Sequence, residues 1–472
     1  MTEREEERRK TSEPGEGGGE ERPRRRRRRR SRGGASRNGR GGGEGGEGEG
    51  SDGRRRSSRG RGGGRNESRG TRGRSRGRGR DRGRGRGRGR GREPSRERRL
   101  AEPIGPPIDV SGVLEVVPAG SGFLRSIENS YFPSEEDTYV PKEIVRELSL
   151  REGDTVAGIA REGGRGPLLQ EVGKVNDLEP EEMKIRPPFA DLTPTDPTGR
   201  LRMETLSDNL TGRVMDLMAP VGMGQRGLIV SPPKAGKTMV LKAMAEAIAT
   251  NNPDVHLIVL LVDERPEEVT DIRRSVRGEV IHSSNDMPVK NHIRVAQVTQ
   301  ERAKRLVESG RDVVILMDSL TRLARAHNVD LTHGGKIMSG GIDSRALQKP
   351  KQFFGAARSL IEGGSLTILA TALIETGSRM DEVIFQEFKG TGNWELELSR
   401  DIADRRIFPA INVNRSGTRK EEKLYETSEL IPVQRLRRGL ASMPPVQAVE
   451  MLLGKMQSFE TNAKFLMLLN TQ

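Results

Sequence analysis

Apolar residues are nearly absent from the first hundred positions of this 472-residue chain and then arrive in two different textures. Between residue 110 and about residue 185 they form short stretches broken by turn formers. These are Val113-Leu-Glu-Val-Val117, Gly120-Ser-Gly-Phe-Leu-Arg-Ser126, Glu152-Gly-Asp-Thr-Val-Ala-Gly158 and Pro167-Leu-Leu-Gln-Glu-Val172. Short runs bounded by Gly, Pro, Asp and Ser predict β-strands. Several of them in one small region predict a compact all-β unit. An oligonucleotide-binding barrel is one architecture of that size, and any small barrel would read the same way.

A proline-rich joint, Pro187-Pro-Phe-Ala-Asp-Leu-Thr-Pro-Thr-Asp-Pro197, closes that region. Beyond it the apolar runs become continuous: Gly227-Leu-Ile-Val230, Leu257-Ile-Val-Leu-Leu-Val262, Val313-Val-Ile-Leu-Met317 and Leu366-Thr-Ile-Leu-Ala370. Helical stretches separate them. Uninterrupted apolar strands alternating with helices predict a parallel sheet covered on both faces, an α/β domain. The expected layout is an arm over 1–103, a barrel over 104–186 and an α/β domain over 187–472.

Charge divides the chain at the first of these boundaries. The whole chain carries +15, yet residues 1–100 hold 36 Lys and Arg against 16 Asp and Glu, so the remainder is slightly acidic. The arm includes an unbroken arginine run at 24–30 and an Arg-Gly alternation over 72–92. With almost nothing to bury, chain entropy wins and a disordered arm is expected. Arg-Gly segments attract phosphates and stack on bases, which suits a nucleic-acid partner.

The absence of cysteine excludes disulfides and thiolate metal sites. No apolar stretch follows the N-terminal charges. The longest apolar run, His256-Leu-Ile-Val-Leu-Leu-Val262, falls far short of the roughly 20 residues needed to span a bilayer. A cytoplasmic protein without membrane association is the expectation.

The strongest chemical signal is Ser231-Pro-Pro-Lys-Ala-Gly-Lys-Thr238, which follows an apolar strand and opens a helical stretch. That is the context a phosphate-binding loop needs. Gly236 lets the backbone close on phosphates, while the loop amides and helix N-terminus supply partial positive charge. Lys237 is placed to reach the β- and γ-phosphates and Thr238 to hold Mg²⁺. Ser231 stands where the motif usually begins with Gly. Asp318, at the end of the Val313–Met317 run, reads as a second Mg²⁺ anchor or as a helix N-cap. Glu264 ends another strand and reads equally as the carboxylate that polarises water or as a surface partner of Arg265.

These residues, with Asp263-Glu-Arg-Pro-Glu-Glu-Val-Thr270, Phe353-Phe-Gly-Ala-Ala-Arg358, Glu387-Phe-Lys-Gly-Thr-Gly-Asn393 and Asn414-Arg-Ser-Gly-Thr-Arg-Lys420, resemble the bacterial transcription termination factor Rho family from about residue 104 to the C-terminus. The resemblance implies a RecA-type motor behind an OB-type, cold-shock-like barrel. It implies a homohexameric, RNA-dependent ATPase and helicase that uses ATP and Mg²⁺, binds single-stranded nascent RNA and works with RNA polymerase and elongation factors. Residue by residue it implies nucleotide contacts at Gly222, Met223, Gly224, Gln225, Arg226 and Gly227. Further contacts are implied at Lys234, Ala235, Gly236, Lys237, Thr238, Met239 and Arg265, with Phe408 packing on adenine.

The resemblance makes Glu264 the catalytic carboxylate and Arg419 an arginine finger reaching a neighbour's site, with Arg406 as its companion. It assigns RNA to Phe123, Arg125 and Tyr139 in the barrel, and to Lys336 and Arg379 in two loops facing the hole of a ring. The bland reading of Phe123 and Tyr139 is barrel core. Three departures stand out: Ser121 replaces a family aromatic, Arg379 a lysine, and the arm an N-terminal helical module. Two rival readings are a rotary-ATPase-type subunit, which shares the motor core, and an Arg/Gly-rich RNA-binding scaffold with a weak motor.

Overall fold

The computed structural model describes residues 104–164, 166–331 and 338–470. The arginine-glycine arm and Lys336 lie outside the described residues.

Five strands close into a barrel in the order β1-β2-β3-β5-β4: β1 (Ile104–Val116), β2 (Gly122–Arg125), β3 (Thr138–Val140), β4 (Thr155–Gly163) and β5 (Gly166–Val175). Period-two alternation sets two faces, and closure of the barrel decides which lies inside. Leu114, Leu124, Val140, Val156, Leu169 and Val175 form the buried core, while Phe123 and Tyr139, one residue out of phase, face outward. The strand expected from residue 152 begins only at Thr155. Asp154 holds the preceding turn by accepting the Arg151 amide at 2.7 Å.

The joint locks the barrel onto the α/β domain. Arg186 donates to Asp154 at 2.6 and 2.7 Å and to Glu308 at 2.9 Å, and Glu308 also accepts the Phe189 amide at 2.7 Å. All three charged side chains are buried. Removing Arg186 would take a guanidinium from two buried carboxylates, leaving Glu308 with Arg151 and Arg305 and Asp154 with the Asn176 carboxamide.

The second domain is built on one large sheet. Its strands are β6 (Pro194–Thr195), β9 (Arg226–Ser231), β10 (His256–Glu264), β11 (Glu279–Ser284), β12 (Asp312–Asp318), β13 (Arg358–Leu360), β14 (Ser365–Leu373), β15 (Trp394–Glu397) and β16 (Gly417–Thr418). Two short strands, β7 (Arg200–Leu201) and β8 (Val221–Gly222), pair separately. The main order is β11-β10-β12-β14-β9-β15-β16. It is parallel from β11 to β15, and β16 is antiparallel.

Strand β12 shows why the runs are continuously apolar. Val314 and Leu316 enter one core, while Val313, Ile315 and Met317 enter the other. Full burial of each such side chain contributes roughly 1.5–3 kcal/mol. One face is covered by the helices Val289–Glu308 and Leu320–Asp330, the other by Leu210–Met218, Lys237–Asn251 and C-terminal helices. Among the described residues no helix is long and apolar enough to cross a membrane.

At the β9/β15 edge lies the chain's single tryptophan, Trp394, 2 % exposed, its indole N–H donating to the Ala219 carbonyl at 2.9 Å. A Cβ on Gly227 would stand 2.6 Å from its ring and 2.4 Å from Leu369. Packing therefore requires glycine there.

Candidate functional site

Parallel strands deliver their C-terminal ends to one rim, where a cleft of about 620 Å³ opens. Its walls include Lys234, Gly236, Lys237, Thr238, Met239, Glu264, Arg265, Arg322, Thr376 and Phe408. Gly236 has φ +91°, a left-handed conformation that turns the loop into the helix Lys237–Asn251. The Phe408 ring lies beside it, 3.5 Å from where a Cβ would be.

Three elements converge on Lys237. Its ammonium donates to Glu264 Oε1 and Asp318 Oδ1, each at 2.8 Å. Glu264 is aimed by a bulge in β10, where Asp263 adopts φ +57° and shifts the register against β11. Asp318 is fixed from behind by the Thr371 hydroxyl at 2.7 Å. Arg322 holds both carboxylates of the bulge, with Nη2 at 3.3 Å from Glu264 Oε2 and Nη1 at 3.3 Å from Asp263 Oδ2. So Glu264 pairs with Lys237 and Arg322, not with Arg265. The N-cap of helix Leu320–Asp330 is Ser319, not Asp318.

Burial, then the nearby Asp318 charge, raises Glu264 above the usual carboxylate range. Burial alone would lower Lys237, but Asp318 and Glu264 outweigh it and keep the ammonium charged. A carboxylate whose proton affinity burial has raised, beside a lysine that can be drawn away, suits general-base work on water.

Two expected groups stand elsewhere. Gly222 to Arg226 lead into the start of β9, about 17 Å of strand from the phosphate loop. Their local roles are structural: a Cβ on Gly224 would stand 2.2 Å from the Ser359 amide, and Gln225 donates to the Asn393 carboxamide at 2.7 Å. They stand at the opposite end of β9 from the phosphate loop of their own chain. Arg419 is at the same remote end. Its amide donates to the Asn393 carbonyl at 2.9 Å, and its side chain is exposed. Arg406 is exposed two residues before Phe408.

On the barrel, Phe123 and Tyr139 are cross-strand partners with ring centres 5.5 Å apart, edge to face. Both are half-buried and neither joins the core, so the core reading of these rings falls. The Arg125 guanidinium lies 4.8 Å from the Phe123 ring centre and is held by Glu115 at 2.7 Å and by Asp137. Ser121 is buried, its carbonyl accepting the Val117 amide at 2.9 Å.

Arg379 is exposed at the start of helix Arg379–Lys389. The described end of the other loop touches it: a Cβ on Gly340 would stand 2.8 Å from the Arg379 carbonyl.

Several contributors were missed in the sequence. Helix Leu320–Asp330 carries Arg322 to the cleft. Arg325, one turn on, grips Asp381 in the second loop at 2.8 Å, and Asn328 accepts the Asp343 amide at 2.8 Å beyond the first. Thr376, a wall of the cleft, donates to the same Asp381 at 2.6 Å. The i, i+3 arginines directly after the Asp318 strand were the available signal.

Comparison with known proteins gives two family matches. The nucleotide-binding domain of the ATP synthase alpha/beta family matches residues 212–418, and the RNA-binding domain of Rho termination factor matches residues 110–181. Fold and site thus define a P-loop ATPase joined to an RNA-binding barrel. Transcription termination factor Rho of Pseudomonas fluorescens biotype C is 54 % identical over 367 residues, covering 76 % of this chain and 88 % of that one. That of Aquifex aeolicus is 53 % identical over 368 residues, 76 % of this chain and 84 % of its own.

The chain belongs to the transcription termination factor Rho family, with an RNA-binding domain followed by an ATPase domain. A solved type III secretion ATPase of pathogenic bacteria shares the fold at 19 % identity, with a TM-score of 0.50 over 65 % of this chain and 91 % of that one. The rotary-subunit and scaffold readings give way to the termination-factor reading.

Proposed function

We propose that this chain is an RNA-stimulated ATPase that moves along single-stranded RNA as a homohexameric ring in the cytoplasm. It displaces paired strands and releases nascent transcripts from RNA polymerase. The observation that carries the reading is helix Leu320–Asp330, which touches the cleft through Arg322 and both loops through Arg325 and Asn328. A rigid element with one end on Glu264 and the other on the loops can convert nucleotide state into loop position.

Of the cations lining the cleft, Lys237 and Arg322 are already engaged by Glu264, Asp318 and Asp263. A triphosphate adds negative charge that they cannot balance alone. Mg²⁺ would supply part of the difference, and the hard oxygens of Thr238 and Asp318 suit it. When bound it would neutralise charge on the β- and γ-phosphate oxygens. Lys237 turns from the carboxylates to the phosphates, which frees Glu264 to orient water and take its proton. Lys234, Ala235, Gly236, Met239 and Arg265 shape the phosphate side, and Phe408 stacks on the base.

Arg419 cannot reach its own cleft from the far end of β9. In a head-to-tail ring that edge meets the next copy's cleft, where the guanidinium stabilises the transferring phosphoryl group. Phe123, Arg125 and Tyr139 capture RNA on the barrel; Arg379, with Lys336, holds it in the ring.

The test is ATP turnover of the full chain with and without single-stranded RNA, alongside displacement of a strand annealed to that RNA. Stimulation with displacement is expected. Turnover indifferent to RNA would remove the reading.

A further inference from the structure

The helix Val289–Glu308 lies between barrel and sheet and presents opposite faces to two sites. Arg294 faces the barrel, where its Nε and Nη2 bind the two oxygens of Glu115 at 2.8 and 2.7 Å. His292 stands two residues earlier, about 200° around the helix. It is buried, its Nδ1 is 2.7 Å from the Ser283 hydroxyl, and its Nε2 is 4.0 Å from Asp263 Oδ1. Asp263 is the bulge residue that aims Glu264.

Glu115 is itself shared. Its Oε2 accepts from Arg125 Nε at 2.7 Å as well as from Arg294. One carboxylate thus lies between a barrel guanidinium stacked on Phe123 and a motor guanidinium. Arg294 Nη1 is buried without a hydrogen-bond partner among the described residues, so Glu115 is its anchor.

We propose that Glu115 is a positioning residue through which occupancy of the barrel's RNA face reaches the ATPase cleft. It holds Arg125 over Phe123 in the absence of RNA and pairs with Arg294 alone when a phosphate engages Arg125. The physical basis is competition. A phosphate at Arg125 draws that guanidinium toward itself and repels the Glu115 carboxylate, whose remaining partner is the bidentate Arg294 fork. Tightening that fork pulls the helix toward the barrel, and the opposite face carries His292 away from or toward Asp263. The inference rests on the reading above in which RNA at Phe123 and Arg125 stimulates hydrolysis.

The test uses the full chain with a short pyrimidine RNA as probe of the barrel, and long single-stranded RNA to stimulate ATP turnover. Arg294→Gln should leave probe affinity and RNA-free turnover within about twofold of wild type. It should raise the RNA concentration for half-maximal stimulation about fivefold or more. Glu115→Gln should weaken probe binding as well, because Arg125 loses its support. In the double variant the rise in half-maximal RNA should be no larger than for Glu115→Gln alone, since both act through one contact.

Wild-type half-maximal stimulation in Arg294→Gln overturns the proposal, as do simply additive effects in the double variant. If wild type itself ignores RNA, the underlying functional reading fails instead. Thermal melts of each variant separate loss of fold from loss of coupling.

Discussion

The nucleotide cleft and the barrel's RNA face solve the problem of holding an anion in different ways. In the cleft, Lys237 is occupied by two buried carboxylates, Glu264 and Asp318, until a ligand displaces them. On the barrel face the cation lies over an aromatic ring that also serves as a stacking platform, and Glu115 and Asp137 hold its guanidinium. The cleft can therefore change state when the ligand arrives or leaves, because a phosphate that takes Lys237 breaks its pairing with Glu264 and Asp318. On the barrel face the two rings can take up bases by stacking, and only the Arg125 contact has to give up an internal partner, which suits capture rather than turnover.

The contrast can be broken most severely at Arg419. Arg419→Ala should lower ATP turnover by about 10³-fold or more, with barrel binding of RNA intact. Mixing it with Lys237→Ala copies should restore some sites, read as turnover in rings shown to be mixed. No recovery would confine Arg419 to its own chain.

Glu264→Gln should lower turnover about 10²–10⁴-fold and leave equilibrium ATP binding within a few-fold. Turnover surviving within tenfold of wild type would end the general-base role. On the other side of the contrast, Phe123→Ala with Tyr139→Ala should weaken a short pyrimidine RNA about 10–100-fold and leave ATP affinity unchanged. If ATP affinity falls equally, the two sites are not separable in the way described.

A smaller effect, about 2–30-fold, is expected for Arg325→Ala on RNA stimulation of turnover, with probe binding to the barrel retained. The smallest concerns pH. Burial beside Asp318 favours the protonated form of Glu264, so its base function is lost as pH falls through a value above the ordinary 4.5. The acid limb of kcat/KM for ATP should therefore lie above 4.5, and Glu264→Gln should abolish that limb along with the activity it reports.

Legibility followed the same contrast. The phosphate loop is one contiguous stretch between a strand and a helix, so local pattern put Gly236, Lys237 and Thr238 together. Glu264 and Asp318 each had a second reading, as a surface partner of Arg265 and as a helix N-cap, and only the folded chain brought both to Lys237. The parallel sheet was written in its continuous apolar runs.

The partners of those groups were not written locally. Thr371 meets Asp318 and Arg294 meets Glu115 only after strands from distant segments pair. Gly222 to Gly227 show a second kind of hidden contact. Gly224 and Gly227 are required by the close approach of β13, Leu369 and Trp394, which no local pattern announces. The barrel rings were ambiguous for a different reason. Period-two alternation gives two faces but not which is inward, and only closure of the barrel put Leu124 inside and Phe123 outside.

Trp394 gives the molecule a built-in optical reporter. As the chain's only tryptophan it alone supplies indole emission, and its burial at the β9/β15 edge predicts a spectrum shifted toward the blue. It pairs across β16 with Thr418, the residue before Arg419. Light from this one ring is thus tied to the strand that carries the arginine. Assembly against a neighbouring copy should alter its intensity or its accessibility to a soluble quencher, with no label attached. Nucleotide binding to an isolated copy should leave it nearly constant.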